Sequence, residues 1–154
     1  MPNWGYMGID LAWNLALAVW IGGIIVLGAL VAPWLFRTMD SRAAAGEVFG
    51  GILRRFARLR AVLIPILVLS GGIRFLLWEG NVTAGNKGAW ILLRWTAVAI
   101  MAAGLAYEIL VLEKAIVRER GEGGDAERFK TLHSRAENLM KVSLVAAISA
   151  LFLG

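Results

Sequence analysis

From Leu11 to Phe36 the chain carries no charged residue, and no other feature limits its fold so strongly. An α-helix rises about 1.5 Å per residue, so roughly 20 apolar residues cross a hydrocarbon core. This run is longer. A secretory signal would need a basic leader, a short apolar region and a small-residue cleavage site, whereas residues 1 to 10 hold one Asp and no Lys or Arg. The run therefore reads as a membrane span that stays in the mature protein. Composition agrees: 59% of the 154 residues are hydrophobic and mean hydropathy is +0.70, above the apolar share of about half in an ordinary soluble domain.

Three further apolar runs, Ala61 to Trp78, Trp90 to Leu112 and about Ser134 to Leu153, approach spanning length but are interrupted by ionisable residues. The expected architecture is an all-α integral membrane protein. It forms one domain over residues 1–154, a four-helix transmembrane bundle with spans at about 11–35, 58–78, 90–114 and 134–153. Phe49, Ile52, Leu53, Phe56 and Leu59 recur at helical spacing, while Arg54, Arg55 and Arg58 occupy other faces. This basic amphipathic segment between helices 1 and 2 is expected on the cytoplasmic side, either as a surface helix or as an extension of helix 2. "RGEGGD" breaks the chain before the last helix, which Asp125 can cap.

Basic residues set the orientation, because short loops rich in Lys and Arg stay in the cytoplasm. Arg37, Arg42, Arg54, Arg55, Arg58 and Arg60 belong to the first connection and its flanks, and Lys114, Arg118, Arg120, Arg128, Lys130 and Arg135 to the third. Lys87, Arg74 and Arg94 fall on the other side. Both termini are thus expected outside the cytoplasm, N-out and C-out. Trp4, Tyr6, Trp13, Trp78, Trp90 and Trp95 then gather near the outer boundary, where amphipathic rings favour the headgroup level. The net charge of +5 becomes a cytoplasmic rim beside anionic lipid headgroups, and no nucleic-acid partner is expected.

Within the first span, Gly22, Gly23 and Gly28 offer small surfaces for close helix approach. Pro33, which lacks an amide hydrogen, is expected to kink or end the helix where it leaves the hydrocarbon. "WIGGIIVLGALVAPWLF", followed by "AAAGEVFGGILRRF" and then "FKTLHSRAENLM", resembles the family of transmembrane protein 205-like domains. The likeness rests on the order W-x-G-G, A-P-x-x-F, A-G and L-H. It implies a four-helix membrane protein of unestablished activity, in bacteria a domain of unknown function, and it supplies no reaction.

Two polar sets stand out against this apolar background. His133, Glu137 and Lys141 follow at i, i+4 and i+8 along one stripe. Lys141 lies about 13 residues, ~20 Å, from Gly154, and Glu108 about 18 residues, ~27 Å, below Trp90. A cluster of Glu108, His133, Glu137 and Lys141 toward the inner side is expected. A second set, Asp10, Asn14, Arg74 and Arg94, belongs toward the outer side, where Asp10 can pair with either arginine. Each set reads either as an interhelical clamp or as part of a proton or ion pathway with His133 as a gate. Both readings remain open.

One His and no Cys leave neither a disulfide nor an all-protein zinc or haem site within a monomer, and no phosphate loop or nucleophile elbow is present. No enzymatic activity and no cofactor are expected. The leading expectation is a small transport or membrane-stress component of the bacterial inner membrane, using polar residues at the inner ends of helices 3 and 4. The alternative is an accessory or assembly subunit of a larger membrane complex, including a pigment- or haem-containing one, and homo-oligomers are also compatible.

Overall fold

The computed structural model describes residues 3–79, 86–119 and 126–154, omitting the side chains of residues 86, 87, 126 and 129; among these residues all regular structure is helical. The first rod, α1, runs Trp4–Thr38, and the second, α2, runs Arg42–Glu79. The third, α3, comprises Asn86–Tyr107, a π-helical turn Glu108–Leu112 and a last piece Glu113–Glu119. The fourth, α4, is Ala126–Phe152. Among the described residues, three helices are long and apolar enough to cross a membrane: Trp4–Thr38, Arg42–Glu79 and Gly88–Glu119. The chain is therefore an integral membrane protein by the length and composition of its helices.

Local chemistry explains the starts. Asn3 accepts the Tyr6 amide at 3.2 Å and caps α1, and Ser41 accepts the Ala44 amide at 3.1 Å and caps α2. The capping role assigned to Asp125 lies outside the described residues.

Pro33 does not end α1. A π-helical turn, Leu27–Val31, precedes it, and the helix continues through Pro33 to Thr38. A proline ring crowds the carbonyl four residues earlier and cannot bond to it. The wider turn, in which the Ala32 amide reaches the Leu27 carbonyl, takes up that misfit.

The basic amphipathic segment is likewise no separate surface helix. Arg42–Arg74 is one continuous helix, so the segment is an extension of α2. Gly50 and Gly51 stay helical because apolar residues on both sides are held: Phe49, Ile52 and Leu53 pack against the core, and Phe49 meets Phe36 edge to face at 6.4 Å.

The helices pack in sequence order, α1 on α2, α2 on α3, α3 on α4 and α4 back on α1. Their shared core includes Trp13, Leu17, Trp20, Leu67, Met101 and Ala147. Gly23 and Gly71 permit close approaches between helices. A Cβ on Gly23 would fall on the Phe56 ring, and one on Gly71 would lie 2.8 Å from Trp13. Gly22 and Gly28, expected to serve helix contact as well, would meet nothing within 4 Å if each carried a Cβ, so among the described residues no neighbouring helix approaches them closely.

These environments predict opposite responses on one helical turn. Gly23→Ala must displace the buried Phe56 ring and is expected to lower the thermal unfolding midpoint in detergent, an overpacking cost of about 1–3 kcal/mol. Gly22→Ala, in open space, is expected to hold or raise it.

Candidate functional site

Ionisable side chains collect at two levels inside the helices. The first is built on Arg74 of α2 and Arg94 of α3, both buried. Arg74 donates from Nη1 to Asp10 at 3.0 Å and from Nε to Glu79 at 2.7 Å, and its Nη2 donates to the Gly154 carbonyl oxygen. Arg94 meets both Glu79 oxygens, from Nη1 at 3.1 Å and from Nη2. Asn14 donates to Asp10 at 3.0 Å from one turn away. Aromatic faces complete the setting: Arg74 lies 5.9 Å from the Tyr6 ring centroid and Arg94 lies 5.6 Å from that of Trp13.

All four residues of the outer set therefore occupy one network, with one change of partner. Asp10 takes Arg74, whereas Arg94 takes Glu79, which the sequence places beside a polar connection. Arg74 and Glu79 are five residues apart, a spacing that an α-helix does not align. The π-helical turn Phe75–Glu79 does align it, because its repeat is i to i+5. The missing signal was that turn.

The second level is built on Arg60, whose side chain is 1% exposed. Its Nη2 donates to Glu108 Oε1 at 2.7 Å, and the guanidinium lies 4.9 Å from the Phe56 centroid and 5.4 Å from that of Trp20. Trp20 in turn donates from Nε1 to Ser143 Oγ at 3.0 Å. Side chains from all four helices are thus linked through Arg60 and Trp20.

This geometry corrects the expected inner set. Glu108 pairs with Arg60 and does not join Lys141. Lys141 and Glu137 form an i,i+4 pair at 2.7 Å on the surface of α4, with side chains 66% and 59% exposed, and His133 is exposed on the same stripe. The physical reason is burial: Arg60, counted in the sequence among the basic flanks, sits in the core and needs a carboxylate. Spacing held the signal: Arg60 follows Phe56 by four residues and precedes Leu63 and Leu67 by three and seven, on the apolar stripe that the exposed Arg54, Arg55 and Arg58 avoid.

Between the two levels the core is packed and apolar apart from Ser70, whose hydroxyl donates back to the Ile66 carbonyl at 2.6 Å. Arg60 and Arg74 are about 14 residues apart, ~21 Å along α2, and Glu108 and Arg94 are equally far apart on α3. Leu17, Leu67, Met101 and Ala147, all fully buried, belong to the core cluster between them. Among the described residues, three buried donors have no hydrogen-bond partner: Trp13 Nε1, Arg94 Nε and Arg60 Nε. Among the same residues no group of three His, Asp or Glu side chains is gathered to hold a metal ion.

Residues 15–124 match the family model described as Domain of unknown function (DUF4149). The chain belongs to this family. The DUF4149 match takes in Trp20, Gly22, Gly23, Arg60, Arg74, Glu79, Arg94 and Glu108, and thus both arginine levels. It stops before the exposed stripe of His133, Glu137 and Lys141. No curated protein and no solved structure matches the chain.

The two kinds of ion pair predict different costs. Glu108→Ala leaves Arg60 buried without a counter-charge, and removing one partner of such a pair costs about 3–5 kcal/mol; the unfolding midpoint should fall sharply. Glu137→Ala removes an exposed partner and should leave the midpoint unchanged. Equal effects in a thermal unfolding assay would contradict this assignment.

Proposed function

We propose that this chain is a four-helix transmembrane protein of the transmembrane protein 205-like type, seated N-out and C-out in the bacterial inner membrane. We propose that it has no enzymatic activity and acts as an accessory or assembly subunit of a larger membrane complex. The observation that carries this reading is the filled apolar core between the arginine levels. A transporter needs a hydrated route between its polar sets, and Leu17, Leu67 and Met101 occupy the interval with full burial. The exposed Glu137 and Lys141 pair cannot serve such a route from the surface of α4. Each arginine instead holds partners from several helices, which suits a rigid element that presents its outer faces.

Those faces are apolar over much of their length. Leu92, Leu93, Leu110 and Val145 are among the exposed large residues, and in a bilayer they are available to lipid or to helices of a partner. The basic end carries the positive charge expected beside anionic headgroups.

Gentle detergent extraction from native membranes followed by native mass spectrometry tests the reading. A stoichiometric assembly with other membrane subunits is expected. The reading is overturned if the protein emerges alone and, in proteoliposomes, conducts protons or ions in a way that Glu108→Gln abolishes.

A further inference from the structure

A shallow apolar groove of about 460 Å³ runs between α1 and α2, and Ala18, Gly22, Val26, Ile52, Phe56 and Leu59 are among its lining residues. It exists because α1 carries small residues there: a Cβ on Gly22 would meet nothing within 4 Å. Its position on the two helices is informative. Ala18 and Leu59 mark the end nearer the Arg74 level, and Ile52 marks the end farther from it.

Cations stand along the α2 edge of the groove, between these two ends. Arg55 stands three residues after Ile52 and four before Leu59, so it borders the face of α2 that lines the groove. Arg58 follows one turn later. Both are exposed, and among the described residues neither enters an ion pair. An apolar furrow bordered by the uncompensated guanidinium group of Arg55, with that of Arg58 one turn on, is complementary to a molecule with an apolar tail and an anionic head.

We propose that this groove binds one acyl chain of an anionic phospholipid, with Arg55 and Arg58 holding its phosphate. The inference rests on the membrane reading above. A second copy of the chain fits the charges less well, because a two-fold contact across this groove would bring Arg55 and Arg58 of both copies together. A phospholipid meets both demands at once: its tail lies along Gly22 and Ala18 toward the middle of the span, and its head lies beside Arg55. Phe56 forms part of the lining while carrying Arg60 over its ring, so the bound chain lies beside the core clamp without touching its charge.

The full chain, reconstituted in phosphatidylcholine vesicles containing a minor fraction of phosphatidylglycerol, is extracted in mild detergent and read by native mass spectrometry for retained lipid. Wild type is expected to retain phosphatidylglycerol in preference to phosphatidylcholine. Arg55→Gln, an exposed change that leaves the core alone, should reduce that preference about fivefold, the usual worth of one basic residue at an anionic surface. Gly22→Leu fills the groove and should remove retained lipid of either headgroup. Equal retention of the two lipids by wild type overturns the proposal. So does undiminished phosphatidylglycerol on Gly22→Leu, or a wild-type dimer that Gly22→Leu converts to monomer. Should Gly22→Leu fail to fold, Arg55→Gln decides alone. A protein stripped from the vesicles by alkaline carbonate would defeat the membrane reading itself, whereas a carbonate-resistant protein without lipid preference defeats only the groove.

Discussion

An arginine removed from water must keep its charge and find a counter-charge, and the packing of these four helices is organised around that requirement. A guanidinium presents five donors in a fixed fork, so burying Arg60, Arg74 and Arg94 requires acceptors placed to meet that fork. Each has a carboxylate on its fork. Each also lies over at least one aromatic ring, which adds attraction where water is excluded. The partners come from different helices, so satisfying the charges also fixes how the helices stand relative to one another. Dispersion forces alone would allow apolar helices in lipid to slide, and these pairs set a register.

The backbone bends its regular repeat to make those pairs. Among the described residues, two of the three π-helical turns coincide with the acidic partners: Glu79 closes one and Glu108 opens another. An extra residue in a turn shifts the phase of everything beyond it. At Glu79 the shift aligns a residue five positions from Arg74, and the same carboxylate then reaches Arg94 on the neighbouring helix. The third such turn serves Pro33 instead. The W-x-G-G element divides its labour in a comparable way. Trp20 joins Arg60 to Ser143, Gly23 makes room for Phe56, and Gly22 leaves the surface concave.

What the sequence disclosed follows from which forces leave a periodic trace. Apolar length is such a trace, and it yields the helices and the membrane setting. The outer polar residues were also legible, because Asp10, Asn14, Arg74 and Arg94 stand inside or beside otherwise uncharged runs. Glu79 was not, since its pairing depends on a π-helical turn that residue types do not announce. Arg60 was hidden by company: in "LRRFARLR" it reads as one basic flank residue among four, although it alone shares the helical stripe of Phe56, Leu63 and Leu67. Once Arg60 is inside, Glu108 is drawn to it, and Lys141 is left with its own helix neighbour Glu137.

The ion pairs also mark the lipid boundary independently of hydropathy. Arg54 with Glu113, Arg128 with Glu119 and Lys141 with Glu137 each have at least one side chain well exposed, which hydrocarbon would not tolerate. The guanidinium groups of Arg60, Arg74 and Arg94 are screened by protein, and of their carboxylate partners only Asp10 keeps about a third of its side chain exposed. Apolar surface fit for lipid therefore extends from the Arg74 level to just beyond the Arg60 level, about 21 Å on the axis and nearer 30 Å with side-chain reach. The helices are longer than that: α1 has 35 residues and α2 has 38, so both continue past the Arg60 level. There α1 remains apolar through the exposed Leu30, Trp34 and Phe36, while α2 alongside carries Arg54, Arg55 and Arg58. An apolar helix beside a basic one is suited to the headgroup layer, where tails and phosphates are both within reach. The requirement that charges be paired in the core and solvated at the end thus gives the molecule its polarity along the membrane normal.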